Sequence, residues 1–181
     1  MTIKTAQDVL DFWFSPQMEP MWFAKSDDVD AQIRDQFAAT YEAAHRRELD
    51  DWAETAEGAL ALVIVLDQFP RNLFRGSGRA FESNDLALEH ARSSLDAGFD
   101  TQVDPQRRQF FYLPFMHSED LPDQTRSVEL YEALGNDNSL RFAIAHRDII
   151  QQFGRFPHRN AALDRPNTPD EAEFLKTHKG F

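Results

Sequence analysis

The run ALALVIVLDQF, Ala59 to Phe69, constrains the fold of this chain more than any other stretch. Its apolar residues leave no polar side, so the segment must lie inside the protein, as a fully surrounded helix or as a buried strand. The neighbouring sequence is helical in pattern, which decides for a central helix. Only a protein with helices on several sides of that segment can bury it.

Those helices can be read from their start and stop signals. Thr5 with Asp8 caps AQDVLDFWF, and Ser15-Pro16 ends it. Ser26 opens DDVDAQIRDQFAATYEAAHRREL, where Ile33, Phe37, Tyr41 and Ala44 form one apolar stripe, with acids early and bases late as the helix dipole prefers. Ser83 is expected to cap NDLALEHARSSLDA, closed by Gly98. Asp104-Pro105 starts QRRQFFYLPFMH, which should kink or stop at Pro114. LPDQTRSVELYEAL ends at Gly135, Ser139 caps LRFAIAHRDIIQQF with Gly154 behind it, and Thr168-Pro169 with Glu171 opens TPDEAEFLKTH as a capping box. The class is all-α, with roughly seven to eight helices. At 181 residues and without a linker, a single domain spanning 1–181 is expected.

Charge and composition exclude several functions. A net charge of −12 disfavours nucleic acid and anionic lipid, no apolar run approaches eighteen residues, and MTIKTAQDVLDFWF lacks the marks of a signal peptide. With no cysteine there are no disulfides, thiolate ligands or thiol nucleophiles, and the cytoplasm is the expected location. HSE and HRD place a histidine two residues from a carboxylate, which points the pair to different helix faces, so no metal site is expected. There is no HExxH, Walker loop or nucleophile elbow, and GSGRAF lacks the third glycine of a dinucleotide loop, so no cofactor is expected. No steady 34-residue period marks a repeat array.

One motif recurs. LDQFPRNLFRG (66–76) and QQFGRFPHRNAAL (151–163) both carry Phe-Pro followed by Arg-Asn, the second with a histidine inserted. Proline disfavours the α conformation before it, so Phe69 and Phe156 should lie at or just past helix ends, while Asn72 and Asn160 suit left-handed turns or caps. Asp67 falls on the face of Val63 and Ile64 near a helix end that repels anions, so it needs a cation: Arg71, or an arginine of the second echo. Every cation from Arg34 to Arg165 is arginine, and Arg71, Arg75, Arg79, Arg155 and Arg159 gather along the two echoes. Their forks suit carboxylate or phosphate. The stripe Phe142, His146, Ile149 and Phe153 puts His146 against the core, where a hydrogen-bonded structural role is the plainer account. His117, Ser118, Glu119 and Asp120 read equally as helix punctuation.

Taken together, VLDFWF, WFAKSDDVD, LVIVLDQFPRNLFRGSGRAFESNDLAL, FFYLPFMHSED and HRDIIQQFGRFPHRNAAL resemble the bacterial proteins grouped as domain of unknown function 924, DUF924. The resemblance implies a tetratricopeptide-like array of antiparallel helix pairs, and it brings no activity or catalytic residue. Two functions follow. The first is a site for a small anionic molecule, enzymatic or purely binding, lined by Asp67, Arg71, Asn72, His117, Glu119, His146, His158 and Arg159. The second is a protein interaction module in which those groups only lock helix ends and the acidic helical faces meet a protein partner; a contiguous exposed aromatic patch involving Trp13, Trp22 or Trp52 would favour it.

Overall fold

A computed structural model describes residues 2–181. Regular structure among them is helical throughout, with eight helices of six residues or more and one of five. The chain divides into two compact units: residues up to Arg75 with Arg79–Pro114, and Gly76–Gly78 with Phe115–Phe181.

The first unit is built around the apolar run. Helix α1 (Ala6–Trp13) starts at a Thr5/Asp8 capping box. Helix α2 (Asp27–His45) starts at Ser26, whose hydroxyl accepts from the Val29 amide. Its stripe of Ile33, Phe37, Tyr41 and Ala44 is buried. The helix ends four residues before the expected Leu49, because Arg47 takes the left-handed φ of 62° and the Glu48 amide closes back on Ala43 O at 3.0 Å. Helix α3 (Ala56–Asp67) is the expected central helix: every residue from Gly58 to Asp67 is buried. It packs against α1, α2 and the 3-10 turn Asp50–Glu54, and also against α4 (Phe69–Leu73) and α5 (Asn84–Asp96). Gly58 makes that turn fit, since a Cβ there would stand 2.2 Å from Trp52 O.

Two expectations change here. Ser83 precedes α5 but makes no cap bond to it. Its hydroxyl donates instead to Leu66 O at 2.6 Å, satisfying one of the carbonyls that the end of α3 leaves open. Helix α6 (Pro105–His117) does not stop at Pro114. Phe110 to Met116 are all buried, and their packing outweighs the roughly 3 kcal/mol that an internal proline costs.

In the second unit, α7 (Leu121–Leu134) is capped by Asp120 and closed by Gly135 at φ 75°. It packs on α8 (Asp137–Phe153). The cap of α8 is Asn136 rather than Ser139: the Ser139 amide donates to Asn136 Oδ1 at 3.0 Å, so the helix begins earlier. Gly154 closes it, and the 3-10 turn Pro157–Arg159 leads on towards α9 (Pro169–Phe174), which opens at the Thr168/Glu171 capping box. Ile149, Ile150 and Phe156 form a core on which Phe153 and Phe174 pack. No helix among the described residues is long and apolar enough to cross a membrane.

Candidate functional site

The first echo binds its own unit together. Asp67, 1% exposed, has its Oδ1 3.3 Å from Arg71, and Gln68 donates to its Oδ2 at 2.6 Å. Arg71, one of the two cations expected for it, is therefore paired with this carboxylate. Its guanidinium also bonds the Asp67 carbonyl and reaches Asn84 Oδ1 at 3.1 Å. Arg75 grips Asp30 with both nitrogens at 2.7 Å, and Asn72 donates to the same carboxylate at 2.8 Å. Burial pushes the Asp30 carboxyl up, but the hydrogen bonds from Arg75 and Asn72 outweigh it and hold its pKa below the ordinary value. Arg79 spans Glu42 at 2.8 Å and Glu82 at 3.3 Å. Asn72 thus lies inside a helix and ties α4 to α2; it neither caps nor turns the chain left-handed.

The second echo centres on Phe156, which is extended at φ −88°, ψ 106° and fully buried. Its amide donates to Glu119 Oε1 at 2.7 Å, and its carbonyl accepts from Arg165 at 3.2 Å. Arg165 in turn grips Glu119 bidentately at 2.7 and 2.9 Å. This closes a clamp around the backbone of one residue, holding its N–H and its C=O. Arg155 grips Glu171 bidentately at 2.6 and 2.8 Å, and that hydrogen bonding holds the Glu171 carboxyl down to about 2. Asn160, fully buried and right-handed, closes the 3-10 turn through its amide on Pro157 O, and its side chain bonds Asn167 Oδ1 at 2.8 Å and accepts from Arg165 at 2.9 Å; it does not open the following helix, whose cap is Thr168.

Rings gather on Phe156. The Arg159 guanidinium lies 4.3 Å over its face and donates to His117 O at 2.9 Å. His146 meets it edge-on at 5.5 Å, His158 lies 5.4 Å away, and His117 and His146 are 6.3 Å apart. So His117, Glu119, His146, His158 and Arg159 come together in the second unit, while Asp67, Arg71 and Asn72 belong to the first.

His146 lies against the core, although the first residue of its stripe, Phe142, is exposed. Its Nδ1 is 2.7 Å from Phe142 O, and a carbonyl can only accept, so Nδ1 carries the proton and Nε2 keeps a lone pair. Burial, then the nearby His117, push the His146 pKa down to about 3; burial and Arg159 push His158 down to about 4. Both rings are neutral at neutral pH. The Nδ1 of His158 is buried without a hydrogen-bond partner. Among the described residues no group of three His, Asp or Glu is arranged to hold a metal ion.

Several partners escaped the sequence reading. Asp30 and Arg165 carried no motif, and Glu171 showed only its capping role; a carboxylate in a first helical turn was the one available signal for Asp30 and Glu171. Ser118 and Asp120 are helix punctuation, with Ser118 donating to Asp123 at 2.8 Å and Asp120 capping α7. Trp13 is buried, and Trp22 and Trp52 are half-buried, so the three tryptophans form no exposed patch.

Residues 9–179 match the model of a family described as bacterial protein of unknown function, DUF924. Among solved structures, the chain is similar to a protein of unknown function, ATU0120 from Agrobacterium tumefaciens, at 43% identity and a TM-score of 0.91, over 96% of this chain and 97% of that one. No curated protein matches.

Proposed function

We propose, for a chain that belongs to the DUF924 family of bacterial proteins of unknown function, that it binds a small anionic molecule at the ring cluster of its second unit. Arg159 supplies the charge, His117, His146 and His158 supply polar ring nitrogens, and Glu119 holds the Phe156 peptide in place. The observation that carries this is the meeting of His146, His158 and the Arg159 guanidinium on Phe156, with His117 beside His146. Guanidinium pairs with carboxylate or phosphate through charge-assisted hydrogen bonds. An anion entering there favours the protonated imidazoles that burial otherwise suppresses, so its binding draws in protons. Asp67, Arg71 and Asn72 are assigned to the framework, since Asp30 and Asp67 already engage the forks and amide of the first echo. A cytoplasmic setting, with neither nucleic acid nor membrane as partner, accords with the net charge of −12.

A thermal-shift screen of inorganic phosphate and small carboxylates tests it. At a hundred times the dissociation constant a ligand adds about 2.7 kcal/mol, a rise on the order of 5–10 °C for a chain of this size. The shift should survive chelator, grow as pH falls from 8 to 6, and shrink in Arg159→Gln and in the half-buried His158→Asn. Absence of any anion response would overturn the proposal. It would favour a tetratricopeptide-like interaction module instead, for which Phe23 speaks: it is 69% exposed and stacks on Phe110.

A further inference from the structure

Residues 178–181 lie over the same cluster. The ring of Phe181 stacks on His146 with centroids 3.6 Å apart and planes 16° from parallel, and it meets Phe142 edge-on at 6.3 Å. Yet Phe181 is 53% exposed, while the imidazole beneath it is 6% exposed. Gly180, at φ 112°, brings the chain across His158 so closely that a Cβ would stand 3.3 Å from the ring. The left-handed φ and this close approach both call for glycine. A phenyl ring thus covers a buried, flat imidazole face while half of it remains in water. Ring contacts to His146, Phe142, His158 and His178 hold it there with half of it in water, and a ligand ring that stacks on the same imidazole competes for its place.

We infer that Phe181 marks the position of an aromatic ring in the ligand: the anion is an aryl carboxylate, its ring stacked on His146 and its carboxylate turned to Arg159, and it displaces Phe181 on binding. This rests on the proposed anion site and adds its chemical class. The hydrogen bond from His146 Nδ1 to Phe142 O fixes the plane of the imidazole, giving a preformed platform for a flat ring. The Arg159 guanidinium lies 4.3 Å over the Phe156 ring that His146 meets edge-on at 5.5 Å, so the platform and the cation share one neighbour and a carboxylate on the stacked ring has a guanidinium to turn to. A saturated ring of similar size is puckered and cannot stack face to face. It should therefore be refused or bound weakly.

Calorimetric titration of the full chain with benzoate, cyclohexanecarboxylate and inorganic phosphate, in the wild type and in Phe181→Ala, tests the inference. Benzoate is expected to bind at least about fivefold tighter than cyclohexanecarboxylate and to shift the NMR signals of the His146 ring. Phe181→Ala, which removes the competing ring, should tighten benzoate by roughly 3–10-fold. Circular dichroism checks that the variant is folded, and Phe181→Leu, which keeps apolar bulk without a flat ring, should tighten benzoate in the same direction. Equal binding of the two ring acids, or benzoate binding unchanged or weakened by Phe181→Ala, overturns the aromatic class; phosphate binding would still leave the anion site standing. No binding of any of the three anions, in either protein, removes both.

Discussion

In the first echo the residue before proline, Phe69, opens a helix; in the second, Phe156 is extended and its N–H and C=O are both clamped. Arg71 reaches back one helical turn to Asp67, whereas the inserted His158 moves Arg159 one place further from the proline, and its guanidinium lies over Phe156. Asn72 stays half-buried with one carboxylate partner, while Asn160 is fully buried among several. Nearly the same residues therefore yield a carboxylate-bound strut in one unit and a ring-lined cluster in the other. The Phe-Pro step sets a break in the helix, and the surroundings decide what the arginine and asparagine do with it.

The largest effect is expected in the first echo. Asp67→Ala should cost about 3–5 kcal/mol in urea unfolding, because it strands the charge of Arg71 beside a buried helix end. Combined with Arg71→Ala, the two losses should fall short of additive by at least about 1 kcal/mol. Additive, surface-like losses would break the view of the first echo as a strut. Next come the two asparagines. Asn160→Ala should cost about 2–3 kcal/mol and Asn72→Ala about 1 kcal/mol, since the first leaves several buried groups unpaired and the second only one. Equal costs would erase the distinction between the echoes.

Acid separates them further. A histidine whose folded pKa lies below its ordinary 6.5 takes up a proton first in the unfolded chain. The stability that the neutral His146 and His158 maintain is therefore complete above pH 6.5 and declines as pH falls towards about 4 for His158 and about 3 for His146. Glu171 acts lower: its contribution is full above its ordinary 4.5 and is lost as pH falls through about 2. Their NMR ring signals should stay unchanged from pH 8 to 5, and Glu171→Gln should flatten the loss of stability between pH 4.5 and 2. A His146 midpoint near 6.5 would show the cluster to be open to water. The smallest effect concerns the start of α8, the helix that leads into the second echo: Asn136→Ala should cost about 1 kcal/mol and Ser139→Ala less than about 0.5 kcal/mol. The reverse order would restore Ser139 as the cap.

Much of the fold was legible because its causes are local. The run from Ala59 has no polar side and so became the buried α3; Thr5, Ser26 and Thr168 cap within three residues of themselves; Gly135 and Gly154 end helices because they take left-handed φ without a Cβ penalty. Asp67 and Arg71 were legible too, being one helical turn apart. Partner choice across long separations was not. Asp30 meets Arg75 across 45 positions and Glu119 meets Arg165 across 46, and Ser83 serves the end of α3 instead of the helix it precedes. Phe181 carries no motif at all, yet it stacks on His146. Hydrogen bonds and ring contacts act over a few ångströms, so they depend on which distant segments the packed helices bring together. Local propensity carries no record of that, and only the tertiary structure decided it.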